Sequence, residues 1–180
     1  MKNWEKLTMR TILLKGHVFA VLLVALLAGG CQSGRRVNVI ATDEICRKSV
    51  EVHLVAVNRF EKDLWEQESM TNYWTPGNPL RQSAKDYTCV IQFGKGPCKQ
   101  TLPSDHPIRK IWRDRNAEYM FVLADLPGTF TDRPGNADAR RVRLPALDSE
   151  CWGTLQREIN ISIESGKVVP LTIAESKKCN

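Results

Sequence analysis

Residues 158–164 (EINISIE) decide the fold class of this chain. Ile159, Ile161 and Ile163 alternate with polar residues, and a period of two places them on one face of a β-strand. Ser165 and Gly166 then form a turn signal, and residues 168–173 return to an apolar run. This arrangement predicts an antiparallel β-hairpin that directs one face of each strand to a core.

Further alternating or apolar segments recur along the chain. They predict strands over residues 50–57 (VEVHLVAV), 87–93 (YTCVIQF), 119–126 (YMFVLADL) and 140–144 (RRVRL). Apolar spacing in residues 60–69 and 106–115 predicts two short amphipathic helices, and Asn58 to Glu61 fits a capping box before the first of them. Six short strands with two small helices predict a mainly β domain, a two-sheet β-sandwich.

The first thirty residues have the anatomy of a secretory signal. A basic stretch over residues 1–15 precedes an unbroken apolar run over residues 18–28, which is shorter than the ~20 apolar residues that a spanning helix needs. The run ends in Leu27-Ala28-Gly29-Gly30-Cys31, which resembles the lipobox of bacterial lipoproteins. We therefore expect a signal peptide over residues 1–30, a lipidated tether over residues 31–45 and a single domain over residues 46–180.

The lipobox resemblance implies a location as well as a modification. In that family the cysteine, here Cys31, carries a diacylglycerol and the chain is cut just before it. Two acyl chains hold a protein on a bilayer where one does so only marginally. An Asp after the cysteine signals retention at the inner membrane in that family, so Gln32 implies the periplasmic face of the outer membrane. Ordinary signal cleavage that leaves Cys31 unmodified is the alternative.

The net charge of +6 belongs in part to the segment that processing removes. Residues 1–30 contain four basic residues and one acidic residue, so 22 basic and 19 acidic residues remain and the net charge falls to +3. A weak positive charge in a protein outside the cytoplasm gives no reason to expect a nucleic-acid partner.

Five cysteines remain if Cys31 carries lipid, and disulfides persist in the compartment that a signal peptide implies. Cys89 and Cys98 flank a Gly/Pro-rich turn and are expected to pair. We expect Cys179 to pair with Cys151 or with Cys46, which would hold the C-terminal tail. No C-x-x-C spacing is present in the sequence, so neither a metal site nor a cofactor is predicted.

The sequence contains no recognisable catalytic motif. No G-x-S-x-G, P-loop, H-E-x-x-H or G-x-G-x-x-G motif is present, and the chain is predicted not to be an enzyme. His53 is expected on the polar face of its strand, and Asp125 at a strand end is expected to satisfy turn backbone. Arg140, Arg141 and Arg143 are expected to form a solvated strand edge. An enzyme using Asp125, His53 or a spare cysteine is the least favoured interpretation.

Residues 70–81 (MTNYWTPGNPLR) are predicted to form a loop with the composition of a protein-binding hot spot. Trp, Tyr and Arg dominate such sites, so Tyr73, Trp74, Pro76 and Arg81 are the candidate partner-binding residues. The alternative is that Trp74 and Leu80 fold inward and cap the core.

The order of these features resembles the type VI secretion lipoprotein family (TssJ/SciN) over about residues 50–173. The shared features are the lipobox cysteine, the V-x-V-x-L strand (Val50 to Leu54), the helix containing Phe60, the strand ending in Ala124-Asp125, the arginine-rich strand and the isoleucine hairpin. The resemblance implies a transthyretin-like β-sandwich that docks a large inner-membrane protein.

The expected function follows from the lipobox and the candidate hot spot. We expect a non-enzymatic lipoprotein, anchored through acylated Cys31, that serves as a docking or assembly module for a periplasmic protein partner, in a type VI secretion system if the family resemblance is correct. The alternative is a periplasmic lipoprotein that binds a small ligand or an envelope polymer with aromatic residues such as Trp74 and Trp112.

Overall fold

Eight strands run through residues 34–175, the part of the chain that the computed structural model describes. They are β1 (Arg36–Ala41), β2 (Glu51–Val57), β3 (Thr88–Gln92), β4 (Lys99–Leu102), β5 (Tyr119–Ala124), β6 (Arg141–Pro145), β7 (Glu158–Ile163) and β8 (Val168–Pro170). The first sheet has the order β4-β1-β7-β8 and the second has the order β3-β2-β5-β6. Side chains from both sheets share one hydrophobic core, so the predicted two-sheet β-sandwich is confirmed.

The C-terminal hairpin has the register that its alternation predicts. β7 pairs antiparallel with β8, with Ile163 opposite Val168, and the three isoleucines of β7 are fully buried. The other edge of β7 pairs in parallel with β1, with Val37 opposite Ile159. β7 is therefore an interior strand.

The expected tether over residues 31–45 is wrong from Arg36 onward. Residues 36–41 form β1, which lies between β4 and β7, and the side chains of Val37 and Val39 are fully buried. The segment RVNVIA alternates as a strand should, so it belongs to the sheet and not to a linker. The signal peptide, Cys31 and Gln32 lie outside the described residues.

The second sheet is built around β2 and β5, its two interior strands. Val52 opposes Ala124 and Val57 opposes Tyr119, and β5 is central as its apolar sequence predicts. Every residue from Val52 to Val57 is buried, including His53, which is only 3% exposed. The expectation that His53 lies on a solvated face is wrong because the chain after β2 covers the outer face of the strand.

Five short α-helices accompany the sheets in the described part of the chain: α1 (Asp43–Cys46), α2 (Lys62–Gln67), α3 (Met70–Tyr73), α4 (Pro79–Ser83) and α5 (Ile108–Asp114). The capping box before α2 is confirmed, since Asn58 Oδ1 accepts from the Glu61 N–H and Glu61 Oε2 accepts from the Asn58 N–H. Helix α5 is also confirmed. The predicted loop over residues 70–81 instead contains α3 and the start of α4.

One disulfide joins Cys46 to Cys98, which closes 52 residues of chain. The predicted pairing of Cys89 with Cys98 is therefore wrong, as is the alternative of Cys46 with Cys179. Cys89 lies within β3 opposite Leu54, whereas the Ala41 N–H donates to the Cys98 carbonyl and brings Cys98 to the end of β1. Cys89 is the free thiol of the described residues, and Cys151 is disulfide-bonded. The pairing of Cys151 with Cys179 stays a prediction, because Cys179 lies outside them.

β6 is an edge strand as predicted, but Arg140, just before it, and Arg141, at its start, are not solvated. Arg140 and Arg141 are 6% and 2% exposed. The Arg141 guanidinium donates to the carbonyl oxygens of Trp65, Glu68, Arg133 and Gly135 at 2.7 to 3.0 Å. Arg140 pairs with Asp138 at 2.8 Å and also with Asp132. Arg143 is half-buried and pairs with Glu66. These arginines hold the loops that fold over the strand.

Candidate protein-binding surface

The segment from α3 to α4 lies on the outer face of β2, and its four candidate partner-binding residues fall into two groups. Tyr73 is fully buried, whereas Pro76 is exposed and Trp74 and Arg81 are partly exposed. Tyr73 is therefore a core residue, which corrects its expected role as a partner contact. Trp74, Pro76 and Arg81 remain available at the surface, and we call these three residues the Trp74 surface.

A buried histidine holds this segment on the sheet. His53 Nδ1 is 2.7 Å from the Tyr73 hydroxyl, and His53 Nε2 is 2.6 Å from Glu51 Oε1. Because a carboxylate can only accept, the neutral ring carries its proton on Nε2, and Nδ1 accepts from the Tyr73 O–H. Desolvation by burial lowers the pKa of His53, although its bond to Glu51 opposes that shift. Desolvation also raises the pKa of Tyr73.

Trp74 is held in place by rings and a cation. Its ring lies 4.8 Å from the His53 ring and 5.1 Å from the Tyr73 ring, and the Arg81 guanidinium lies over it at 5.1 Å. Arg81 is itself fixed, because its Nη2 donates to Glu51 Oε1 at 2.6 Å. The Trp74 indole N–H is buried and has no hydrogen-bond partner among the described residues. The Trp74 ring therefore packs on buried His53 and Tyr73, and together with Arg81 it forms an aromatic–guanidinium pair at the surface.

The turn after Trp74 is exposed and has a fixed shape. Thr75, Pro76 and Gly77 are exposed, and Gly77 has a φ of 83°, which favours glycine. Asn78 ends the turn, since its Oδ1 accepts from the Arg81 N–H at 2.8 Å and its Nδ2 donates to Glu68 at 2.9 Å. The Trp74 surface therefore includes an exposed turn whose C-terminal end is fixed by Asn78, the N-cap of α4.

His53, Asp125 and Cys89, the candidate residues of the enzyme interpretation, lie in different environments in the structure. Both ring nitrogens of His53 are held by protein side chains, so neither is open to a substrate proton. Asp125 is exposed, and its N–H donates to the Glu51 carbonyl. Partial desolvation of its carboxyl group, and then the nearby Glu51 charge, raise the pKa of Asp125. The Cys89 thiol also has a raised pKa because of desolvation, which disfavours the reactive thiolate.

A separate cleft of about 600 Å³ lies where β5 begins and β6 ends. Tyr119, Arg143, Pro145 and Ser149 are among its lining residues. A smaller cavity of about 210 Å³ shares Ala117, Ala146 and Asp148 with it and includes Trp112 in its wall. The Trp112 indole N–H is already used, since it donates to the Tyr87 carbonyl at 2.7 Å. Trp112 therefore offers a ring face and no free donor.

Residues 34–175 contain neither a metal-binding cluster of side chains nor a helix suited to cross a membrane. No cluster of three or more His, Cys, Asp or Glu side chains there is arranged to hold a metal ion. Over the same residues, no helix is both long enough and apolar enough to cross a membrane.

The comparisons with known proteins give similar structures but no family. No protein-family model matches the chain, and no curated protein matches it. Lip from Serratia marcescens, described as a membrane-bound component of the type VI secretion system, is 13% identical with a TM-score of 0.47. That match covers 77% of this chain and 97% of Lip. The C-terminal domain of the type VI secretion protein TssM from EAEC is 12% identical with a TM-score of 0.49, covering 76% and 99%. At these identities and TM-scores, the two matches indicate no more than a broadly similar chain fold.

Proposed function

We propose that this chain is a lipid-anchored lipoprotein on the periplasmic face of the outer membrane, where its β-sandwich docks a protein partner. The sequence from Leu27 to Gln32 supports the anchor and its location. The assignment to a type VI secretion system rests on the sequence resemblance of residues 50–173. A gene location far from any secretion cluster would remove that assignment and leave the docking proposal intact.

The observation that carries the docking proposal is the fixed Trp74–Arg81 pair. Trp and Arg are the side chains that contribute most at interface hot spots. Association is costly when flexible side chains must be ordered, and here the contacts to His53, Tyr73 and Glu51 have already ordered both residues. A partner that covers Trp74 and the turn from Thr75 to Gly77 would therefore bind a preformed surface.

Site-specific crosslinking in cells tests the docking surface. We expect a photoreactive amino acid in place of Thr75 to give an adduct with one discrete protein, and the same group in place of Lys167 on the β7–β8 turn to give none. The adduct should disappear in Trp74→Ala and in Arg81→Ala if both variants stay folded by circular dichroism. An adduct that persists in folded variants would refute the proposal, and unfolding of Trp74→Ala alone would support a core-capping role for Trp74.

Metabolic labelling with palmitate tests the anchor separately. We expect label in the wild-type protein and none in Cys31→Ala. Equal labelling of the two proteins would refute acylation at Cys31.

Binding of a small ligand or an envelope polymer is the second candidate function. The cleft of about 600 Å³ favours it, because the volume lies in the usual range of ligand sites. Peptidoglycan fragments are a suitable probe. A rise in Tm that Tyr119→Ala abolishes would support this function, and an unchanged Tm would exclude these fragments as ligands.

A further inference from the structure

The chain enters the domain at the N-terminal end of β1, a few residues after Cys31 in the sequence. The Arg36 N–H donates to the Arg157 carbonyl, and the Arg35 guanidinium donates to the carbonyls of Leu147 and Gly153 at 2.9 and 2.7 Å. Gly34 lies against Ser104, since a Cβ on Gly34 would be 2.9 Å from Ser104 Cβ. Residues near Gly34 therefore belong to one end of the sandwich, which we call the anchor end.

The three most exposed large hydrophobic side chains of residues 34–175 lie at the anchor end. Leu155, which is 91% exposed, lies between Gly153 and Arg157, the two residues whose carbonyls bind Arg35 and Arg36. Ile173, which is 85% exposed, follows Thr172, whose hydroxyl accepts from the Asn160 N–H near the start of β7.

Phe60, which is 89% exposed, follows the end of β2. That strand end connects to the anchor end through a series of backbone bonds. The Glu118 N–H donates to the Val57 carbonyl, and the Ala146 N–H donates to the Glu118 carbonyl. Leu147, the next residue, accepts from Arg35.

The length of chain before Gly34 limits how far this end can lie from an anchor on Cys31. Consecutive Cα atoms are 3.80 Å apart, so the three steps from Cys31 to Gly34 span at most about 11 Å. A tether running to residue 45 would have allowed the domain to stand well away from the bilayer. The finding that β1 begins at Arg36 removes that freedom.

We propose that Leu155 and Ile173 insert into the interfacial region of the bilayer, so that the anchor end is a membrane-contacting surface. This inference rests on the proposed acylation of Cys31. Exposed apolar side chains gain free energy when they leave water, and an anchor within about 11 Å of Gly34 keeps the anchor end close to the bilayer. Arg36 and Arg157 are also exposed at this end, and their positive charges would favour contact with anionic headgroups, although Arg36 also pairs with Glu158 at 3.3 Å.

Depth-dependent fluorescence quenching tests the inference with the full lipidated protein. An environment-sensitive fluorescent amino acid replaces Leu155 in one variant and Lys167 in a matched control. Lys167 follows the opposite end of β7, about 17 Å along the strand from Glu158. Both variants are reconstituted in vesicles of phosphatidylethanolamine and phosphatidylglycerol, with and without nitroxide-labelled lipid. We expect a blue shift and strong nitroxide quenching at position 155, and neither at position 167.

The outcomes separate this inference from the proposed anchor. Flotation with the vesicles without nitroxide quenching at position 155 would overturn membrane contact and leave the anchor intact. If position 155 is shielded from aqueous iodide but is not quenched by the nitroxide lipid, the surface is covered by another protein copy. That result would also overturn membrane contact. Failure of the protein to float would overturn the anchor, and membrane contact with it.

Discussion

Removal of the Cys46–Cys98 disulfide should cause a large loss of stability. The bond closes a loop with a sequence separation of 52 residues, and the chain-entropy relation for such a loop gives about 4 kcal/mol at 25 °C. The bond also joins two parts of the fold that are separated in sequence, the end of α1 and the turn before β4. We therefore expect Cys46→Ala/Cys98→Ser to lower the free energy of unfolding by about 4 kcal/mol.

Urea unfolding followed by circular dichroism measures this loss. Both proteins should carry Cys89→Ser, because a free thiol on β3 could otherwise exchange with the disulfides. Cys89→Ser alone is the matched control, since that cysteine is unpaired in the described chain. A loss below about 1 kcal/mol in the double variant would refute the reasoning and show that strain or residual unfolded-state structure cancels the entropy.

Three further predictions concern the polar groups inside the fold. Arg141→Leu should lower the free energy of unfolding by about 4 kcal/mol because four carbonyls lose a charged donor, whereas Arg143→Leu, at a half-buried ion pair, should cost less. Tyr73→Phe should lower the free energy of unfolding by about 1–3 kcal/mol because buried His53 Nδ1 loses its hydrogen-bond donor, and Tyr119→Phe is the control. Urea unfolding measures the loss in the arginine variants and in the tyrosine variants. The lowered pKa of His53 means that the unfolded chain binds a proton first on acidification. This contribution to stability should be complete above pH 6.5 and should fall as the pH drops from 6.5 toward the folded pKa. His53→Gln should remove that part of the pH dependence of urea unfolding.

Period-two alternation was sufficient to locate most strands, because a half-buried strand must place apolar side chains on one face. The hairpin of β7 and β8 follows from that rule, whereas the central position of β5 follows from its continuous apolar run. β1 satisfies the same rule with Val37 and Val39, yet its nearness to Cys31 led to the tether interpretation. The parallel partner of β1 is more than a hundred residues away, and no local pattern indicates such a pairing.

The buried polar groups could not be predicted because their partners come from distant segments. The sequence places His53 on a solvated face, but in the fold Tyr73 at the end of α3 and Trp74 just after it lie over the His53 ring. Arg141 reads as an edge charge until the chain after Trp65 and the turn at Gly135 surround it with carbonyls. A histidine among valines and two adjacent arginines on an apolar strand are the signals that could have raised the question. Local spacing gives the face on which a side chain lies and not what covers that face.

The position of β1 determines how the domain would respond to mechanical force. β1 lies between β4 and β7 and is hydrogen-bonded to both. A pull along the axis of β1 from its N-terminal end therefore loads the hydrogen bonds to both neighbours in shear. Such a load shears many bonds at once, whereas a load across an edge strand opens them one at a time. Resistance to forced unfolding is set by the unfolding rate rather than by equilibrium stability. A domain tethered at this end could thus carry tension between a membrane and whatever is bound to its surface.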